Sequence, residues 1–598
     1  MTLLAPMPQK LTLEEGTFTL EGNCLISMNH RDLFFEGRYA KEALAKVGVA
    51  GAIALTKHGD AGIKLTMGMD SMLTQSYTLT INETGISING SDAAGVFYGV
   101  CTLNQLLLQH GTTLPCLSII DFPDIQKRGV MLDISRDRVP TLETLLTLVD
   151  KLASWKINEV QLYMEHTFAY QAHPTVWQKA SPITSEELLT LHDYCHDRHI
   201  DLVPNLNTIG HMERWLKHAE YNALAEMPAG FPSHWHEDGR ILPASTLNPL
   251  DEGSLKLIKS LLDELLPHFT SRYLNIGGDE PWELGKGASK EQWEKEPGRV
   301  YLEYLKSVYR EATQRGRKAQ FWADIIVKYP ALVEELPKDA IAMIWGYEAN
   351  EPNEGDVELI TSSELQTYMV PGTSTWNSLA GRTTNAMENL KNAARLANKY
   401  GSFGYLITDW GDNGHWQPLS ASYLGFLYGA CVSWSYEHNL VMDLPAALDA
   451  FAFFDKAQKM GRIAYDMGDL YTLMPMQVHN GVFLFYMLQT SLRSEWKPEY
   501  DTPELHAALT ETKTRIDSLL SDLEKANLAE EDALVKAEYR QIAALFNLAI
   551  ARIEEHLGTG KAITEDDLMP IIEQHRALWL SRHREGGLED SVARYMRS

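Results

Sequence analysis

Apolar and polar residues alternate over Tyr77, Leu79 and Ile81, break at Asn82-Glu83-Thr84-Gly85, and alternate again over Ile86 and Ile88. That period of two, interrupted by turn residues, predicts a hairpin. A helix-like stretch runs from Ala93 to Gln109, and Pro123-Asp124 marks a hinge. From about Lys127 to Glu437 one unit recurs: a short apolar strand, a polar loop, an amphipathic helix. The pattern predicts eight strands: Val130–Ser135, Glu159–Met164, Asp201–Asn207, Tyr273–Gly277, Ala319–Ala323, Ile341–Trp345, Leu365–Val370 and Gly404–Thr408.

The helices between them carry start and stop signals. Thr184-Ser185-Glu186-Glu187 is a capping box. Leu255, Ile258, Leu261, Leu262 and Leu265 recur at helical spacing, and Gly316 and Gly401 stand where a helix end takes positive φ. This alternation predicts an α/β protein built on a (β/α)8 TIM barrel. An open doubly wound sheet is the alternative, but no Gly-rich nucleotide loop follows the first strand. After His438 helix formers dominate, with long helices expected over Leu505–Ala526 and Glu530–Leu557. Gly558-Thr559-Gly560-Lys561 lacks the upstream glycine and the Ser or Thr of a phosphate loop. The expected organisation is a small α/β domain (1–122), the barrel (123–437) and a mostly helical C-terminal region (438–598).

Composition narrows the partners. Of 598 residues, 44% are hydrophobic and 22% charged, a globular balance. No run approaches the roughly 18 apolar residues of a membrane span, so no membrane partner is expected. A net charge of -27, with no basic stripe, argues against nucleic acid. Five scattered cysteines without paired spacing fit a reducing compartment, and Met1–Lys10 holds no signal-like apolar core. A cytoplasmic location is the resulting expectation. The oligomeric state stays open; the C-terminal helices offer a surface for subunit contacts, a homodimer included, or for loop contacts.

Catalytic groups of such barrels come from the C-terminal strand ends. Those ends carry Ser135-Arg136-Asp137, Glu165-His166, Asn207 with His211, Asn275 to Glu280, Trp322 with Asp324, Trp345 with Glu348, Trp376-Asn377, and Asp409 to Asp412. Six of the fourteen tryptophans (Trp282, Trp322, Trp345, Trp376, Trp410, Trp416) fall at or just after these ends. Loop packing explains any one of them; together they suggest aromatic walls for the apolar faces of sugar rings, with polar groups for the hydroxyls. At the fourth end Gly277-Gly278 precede two carboxylates, Asp279 and Glu280. Either could merely cap a helix. At a Trp-lined mouth an acid–base role is favoured. Adjacent side chains diverge and can hardly bracket an anomeric carbon from both faces. The pair suits a reaction in which the substrate's own 2-acetamido oxygen is the nucleophile.

These residues carry a resemblance. Asn275 to Glu280 resembles the Gly-Gly-Asp-Glu signature of glycoside hydrolase family 20, the β-N-acetylhexosaminidases. Arg128 to Arg136 resembles that family's opening barrel strand, Gly210-His211 its Gly-His pair, and Asp92–Gly99 with Thr102–Gln105 its small domain. The likeness covers about residues 1 to 437. It implies an exo-acting retaining hydrolase of terminal β-linked GlcNAc or GalNAc on a glycan, with no cofactor and no metal. It implies Asp279 orienting the acetamido group, and Glu280 as general acid and then base. It also implies Arg136 on ring hydroxyls, and Trp322, Trp345 and Trp410 around the sugar. Tyr368 would hold the acetamido oxygen, and Asp412 the 4- or 6-hydroxyl. Trp376 and His211 complete the candidate substrate-binding set. Asn275, Asn205, Asn207, Val370 and Asp412 depart from the family's usual residues, which bears on hydroxyl contacts rather than reaction class.

Three other readings compete. His192, Cys195, His196 and His199 have ligand-like spacing but lie on the stability rim. A non-catalytic glycan-binding barrel would keep the tryptophans without needing both carboxylates. An ordinary two-carboxylate glycosidase could use Glu165 or Asp324 as nucleophile.

Overall fold

The computed structural model describes residues 2–56, 62–70, 73–233, 239–529 and 533–595. Eight parallel strands close into a barrel: β1 (Lys127–Asp133), β2 (Glu159–Met164), β3 (Asp201–Leu206), β4 (Tyr273–Asn275), β5 (Lys318–Trp322), β6 (Ile341–Trp345), β7 (Gln366–Val370) and β8 (Gly404–Asp409). Each predicted strand is present, and the open-sheet alternative falls because β8 pairs with β1. The intervening helices bury one stripe, as periodicity requires; in Glu252–Leu265 the buried leucines are Leu257, Leu261, Leu262 and Leu265. The capping box forms at Thr184 and Glu187, and Gly401 closes the helix Thr383–Tyr400 in the left-handed conformation.

The barrel interior is layered, because inward side chains recur every second residue. Its lower layer is polar. Gln161 takes amide hydrogen bonds from Asn205 (2.9 Å) and Asn275 (3.2 Å), and donates to Glu159 (2.8 Å) and Gln320 (2.9 Å). The departures at Asn205 and Asn275 therefore belong to a mutual amide network inside the barrel. Beside it the interior holds an apolar and aromatic cluster that includes Met131, Tyr163, Trp322, Met343 and Leu406.

The N-terminal domain is a seven-stranded mixed sheet, and its predicted hairpin pairs Tyr77–Asn82 with Gly85–Gly90. The helix Ala93–His110 covers it. A buried ion pair, Lys156 with Asp121 at 2.8 Å, ties this domain to the barrel. The Trp434 indole donates to the same carboxylate at 2.8 Å, and Arg128 stacks over that indole at 4.7 Å.

The described part of the C-terminal region consists of helices joined by turns and loops, with no strand among its described residues. Long helices span Pro503–Lys525, Ala533–His556 and Glu565–Arg582. The predicted start of the second, Glu530, lies outside the described residues. Gly558-Thr559-Gly560 simply ends that helix, with two amides returning to the Glu554 carbonyl. The region reaches back to the barrel mouth. Arg584 holds the Pro140 and Pro182 carbonyls, Asp590 holds Arg214, and Trp416 stacks on Tyr595 at 4.1 Å.

Candidate active site

The turn after β4 brings the two carboxylates to the barrel mouth. Gly277 has φ +67, and a Cβ there would lie 2.3 Å from the Asn207 side chain; only glycine allows this approach. Glu280 itself adopts φ +44, a left-handed backbone that costs about 1–2 kcal/mol because the Cβ crowds the following carbonyl. Strain of this kind persists where the surrounding structure holds it, as functional sites do. Tyr301 anchors the turn through the Gly278 carbonyl at 2.9 Å.

His211 arrives from the loop after β3. Gly210 lets that loop touch the Asp279 backbone, since a Cβ would stand 2.3 Å from its carbonyl oxygen. The imidazole Nε2 lies 3.2 Å from Asp279 Oδ2 and 3.5 Å from Glu280 Oε2. Burial works against the imidazolium, but the Asp279 charge and polar contacts to both carboxylates outweigh it and raise its pKa well above the usual value, with Arg136 opposing. Arg136 Nη2 stands 3.3 Å from the other ring nitrogen.

Arg136 is tightly held. Asp133 pairs with it at 3.1 Å and Glu165 at 3.3 Å, and its guanidinium lies over Tyr163 (4.7 Å) and Trp410 (4.9 Å). Asp133 also accepts from the Gly411 amide, joining the ends of β1 and β8. Burial raises the Asp412 carboxyl pKa against the pull of Arg136, and the Asp133 and Glu280 charges add to the rise.

A third carboxylate completes the group. Asp324 accepts from the Glu280 amide at 3.4 Å, and burial with the Asp279 and Glu280 charges pushes its pKa up to about 8. It therefore carries a proton at neutrality. Asp279 Oδ1, Trp322 Nε1, Asp324 Oδ1 and Asn207 Oδ1 are buried without a protein partner. Buried polar atoms of that kind are costly unless something else satisfies them, and four at one mouth mark a place for a polar ligand.

Aromatic rings wall the mouth. Trp322 and Trp410 lie 6.3 Å apart, and Trp410 meets Tyr163 edge-on at 4.8 Å. Trp345 stacks on Tyr347 at 5.2 Å, and Trp376 meets Tyr347 edge-on at 4.9 Å. The structure thus brings together Asp279, Glu280, Arg136, His211, Trp322, Trp345, Trp376, Trp410 and Asp412.

Two expectations are corrected. Tyr368 is fully buried in the lower layer, where its hydroxyl donates to Glu159 at 2.9 Å. Its register beside Gly404, at the start of β8, puts it below the mouth. Trp416 faces the C-terminal region instead of the pocket. Tyr347 and Tyr163 were missed. Both continue the inward alternation of a strand, Tyr347 two residues beyond Trp345 and Tyr163 two beyond Gln161, and that period was the available signal. Of the ligand-like cluster, His192 and His196 stack at 6.4 Å, but His192 contacts Thr270, His199 turns to Glu36, and Cys195 is buried.

Comparison with known proteins identifies the family. The model of glycosyl hydrolase family 20, catalytic domain, matches residues 126–404, and that of glycosyl hydrolase family 20, domain 2, matches residues 2–122. A beta-hexosaminidase of Porphyromonas gingivalis is 24% identical over 363 residues, covering 54% of this chain and 45% of that protein. A lacto-N-biosidase of Bifidobacterium bifidum is 24% identical over 352 residues, covering 53% of this chain and 29% of that protein. The chain therefore spans less than half the length of these two relatives. Among solved structures, beta-N-acetylhexosaminidase from Bacteroides fragilis has a TM-score of 0.60 at 21% identity, covering 73% of this chain and 91% of that one. Flavobacterium johnsoniae chitobiase has a TM-score of 0.63 at 18% identity, covering 98% of each chain. These structural likenesses concern the fold.

Proposed function

Since the chain belongs to glycosyl hydrolase family 20 and is a glycoside hydrolase, we propose that it is a retaining exo-β-N-acetylhexosaminidase removing terminal β-linked GlcNAc or GalNAc from a glycan. The observation that carries this reading is the placement of Asp279 and Glu280 on one turn, both within 3.5 Å of His211 Nε2. Two carboxylates so close to one imidazole serve one side of a sugar ring.

In the proposed reaction the acetamido oxygen attacks C1 as the C1–O bond to the leaving group breaks. Glu280 gives its proton to the departing oxygen. Asp279 accepts the acetamido N–H and offsets the positive charge of the oxazolinium. Water then attacks C1, Glu280 takes its proton, and the acetamido group is restored with the β configuration retained. Arg136 and Asp412 would bind ring hydroxyls, and the tryptophans the apolar faces.

The two-carboxylate alternative fits less well. Asp324 keeps its proton to about pH 8, and a protonated carboxyl is a poor nucleophile. Glu165 is engaged by Arg136 and by the Tyr163 hydroxyl at 3.0 Å. The five free, buried thiols support a reducing, cytoplasmic setting as part of the same proposal.

The test is hydrolysis of nitrophenyl β-GlcNAc and β-GalNAc by wild type and Glu280→Gln. The variant should lose at least roughly 100-fold in rate. An N-acetylglucosamine thiazoline, shaped like the cyclic intermediate, should inhibit wild type. An unaffected variant or an indifferent enzyme would overturn the assignment.

A further inference from the structure

The C-terminal region does more than touch the rim: it inserts a turn and a helix beside the pocket. Asn480, at φ +53, folds the turn. Its side chain accepts from Trp376 Nε1 at 2.9 Å, and its amide donates to Glu348 at 2.7 Å. Arg382 grips that Glu348 through both carboxylate oxygens, at 2.9 and 3.0 Å. The next residue, Gly481, lies tightly between Asn377 and Tyr486; a Cβ there would stand 3.1 Å from both the Asn377 Cβ and the Tyr486 hydroxyl.

The helix that follows, Phe483–Gln489, is pinned to the loop after β8. Gln489 donates to the Asn413 carbonyl at 2.7 Å, and Asn413 in turn donates to Asn377 at 2.8 Å. Residues three apart on a helix share a face. Tyr486 therefore points where Gln489 points, toward the loop that carries Trp410 and Asp412. It is half-buried, and no described residue takes its hydroxyl in a hydrogen bond.

We propose that Tyr486 is a specificity-determining residue of the pocket, its phenol hydroxyl meeting the sugar hydroxyls on the edge that Asp412 faces. The inference rests on the hexosaminidase reading and extends it: the C-terminal region supplies part of the sugar-binding wall. Burial, with the Asp412 charge adding and Arg382 opposing, pushes the phenol pKa up to about 12, so the group remains a hydrogen-bonding hydroxyl over the working pH range. Asn480 acts as the positioning residue that holds this wall against Trp376.

The experiment compares wild type and Tyr486→Phe on nitrophenyl β-GlcNAc and on its 4-deoxy and 6-deoxy analogues, with melting temperatures alongside. The variant removes only an oxygen without a protein partner, so its melting temperature should match the parent's. Its kcat/KM on the full substrate should fall about ten-fold, the size of one neutral hydrogen bond. On one of the two deoxy substrates variant and parent should be equal, because the partner hydroxyl is already gone. A variant equal to wild type on the full substrate, or one penalised alike on all three, overturns this inference alone. A wild type inactive on every aryl N-acetylhexosaminide overturns it together with the functional reading.

Discussion

The indole Nε1 of Trp410 donates to the phenol oxygen of Tyr347 across 2.8 Å. This bond ties the end of β8 to the end of β6 and sets the angle between two walls of the pocket. Removing the acceptor leaves a buried N–H unpaired, at a cost of about 1–3 kcal/mol. Tyr347→Phe is expected to lower kcat/KM on aryl β-GlcNAc by roughly ten-fold, mostly through KM. Steady-state kinetics check it; an unchanged KM would count against Tyr347 as the residue that sets Trp410.

Asp324 predicts a pH dependence. The folded protein holds its proton up to about pH 8, whereas an unfolded aspartate gives it up near 3.8. Stability from this group is therefore full below about pH 4, falls as pH rises, and is gone above about pH 8. Ionisation there also adds a negative charge beside Asp279 and Glu280. Asp324→Asn should narrow the stability difference between pH 5 and pH 9 and shift or flatten the alkaline limb of kcat/KM. Thermal melts and rate profiles across that range give the answer, and parallel curves for variant and wild type would refute it.

The Lys156–Asp121 pair is fully buried between the N-terminal domain and the barrel. Asp121→Ala strands the ammonium and also removes the acceptor of Trp434 and of the Tyr77 hydroxyl. Losing one partner of such a pair costs about 3–5 kcal/mol. A marked drop in melting temperature or a separate low-temperature transition is expected in calorimetry, partly reversed by adding Lys156→Met.

Gly587 seats the C-terminal region on the loop behind Arg136. Its φ is +79, and a Cβ would meet the Asp137 carbonyl oxygen at 1.9 Å. Gly587→Ala should lower the melting temperature and raise KM together, because Asp137 adjoins Arg136. A variant that melts early but keeps the parent KM would show that this docking does not reach the pocket.

Much of the fold could be read from alternation. Every barrel strand follows from apolar runs bounded by turn residues, and the carboxylate pair is marked by its two glycines. Depth inside the barrel is harder to read. Tyr368 faces inward as expected, but register with Gly404 places it a layer too low, and local periodicity carries no information about register between distant strands. Tyr347 and Tyr163 follow the inward period, yet they lack the charge or glycine punctuation that made Asp279 and Glu280 conspicuous. Asn480 and Tyr486 were beyond sequence reasoning for a different reason. Asn480 meets Trp376 across 104 residues, a long-range contact that composition does not encode.

The amide layer beneath the pocket has a consequence for anyone altering this enzyme. Gln161 serves Asn205 and Asn275 with one oxygen, and Glu159 and Gln320 with its nitrogen. A carboxylate at Asn205 or Asn275 would set an acceptor against the Gln161 oxygen, where an amide N–H now donates. Variation at these sites is therefore collective. A library that randomises Asn275 alone will return mostly damaged barrels, while one that changes Gln161, Asn205 and Asn275 as a unit can move between alternative interiors under an unchanged mouth.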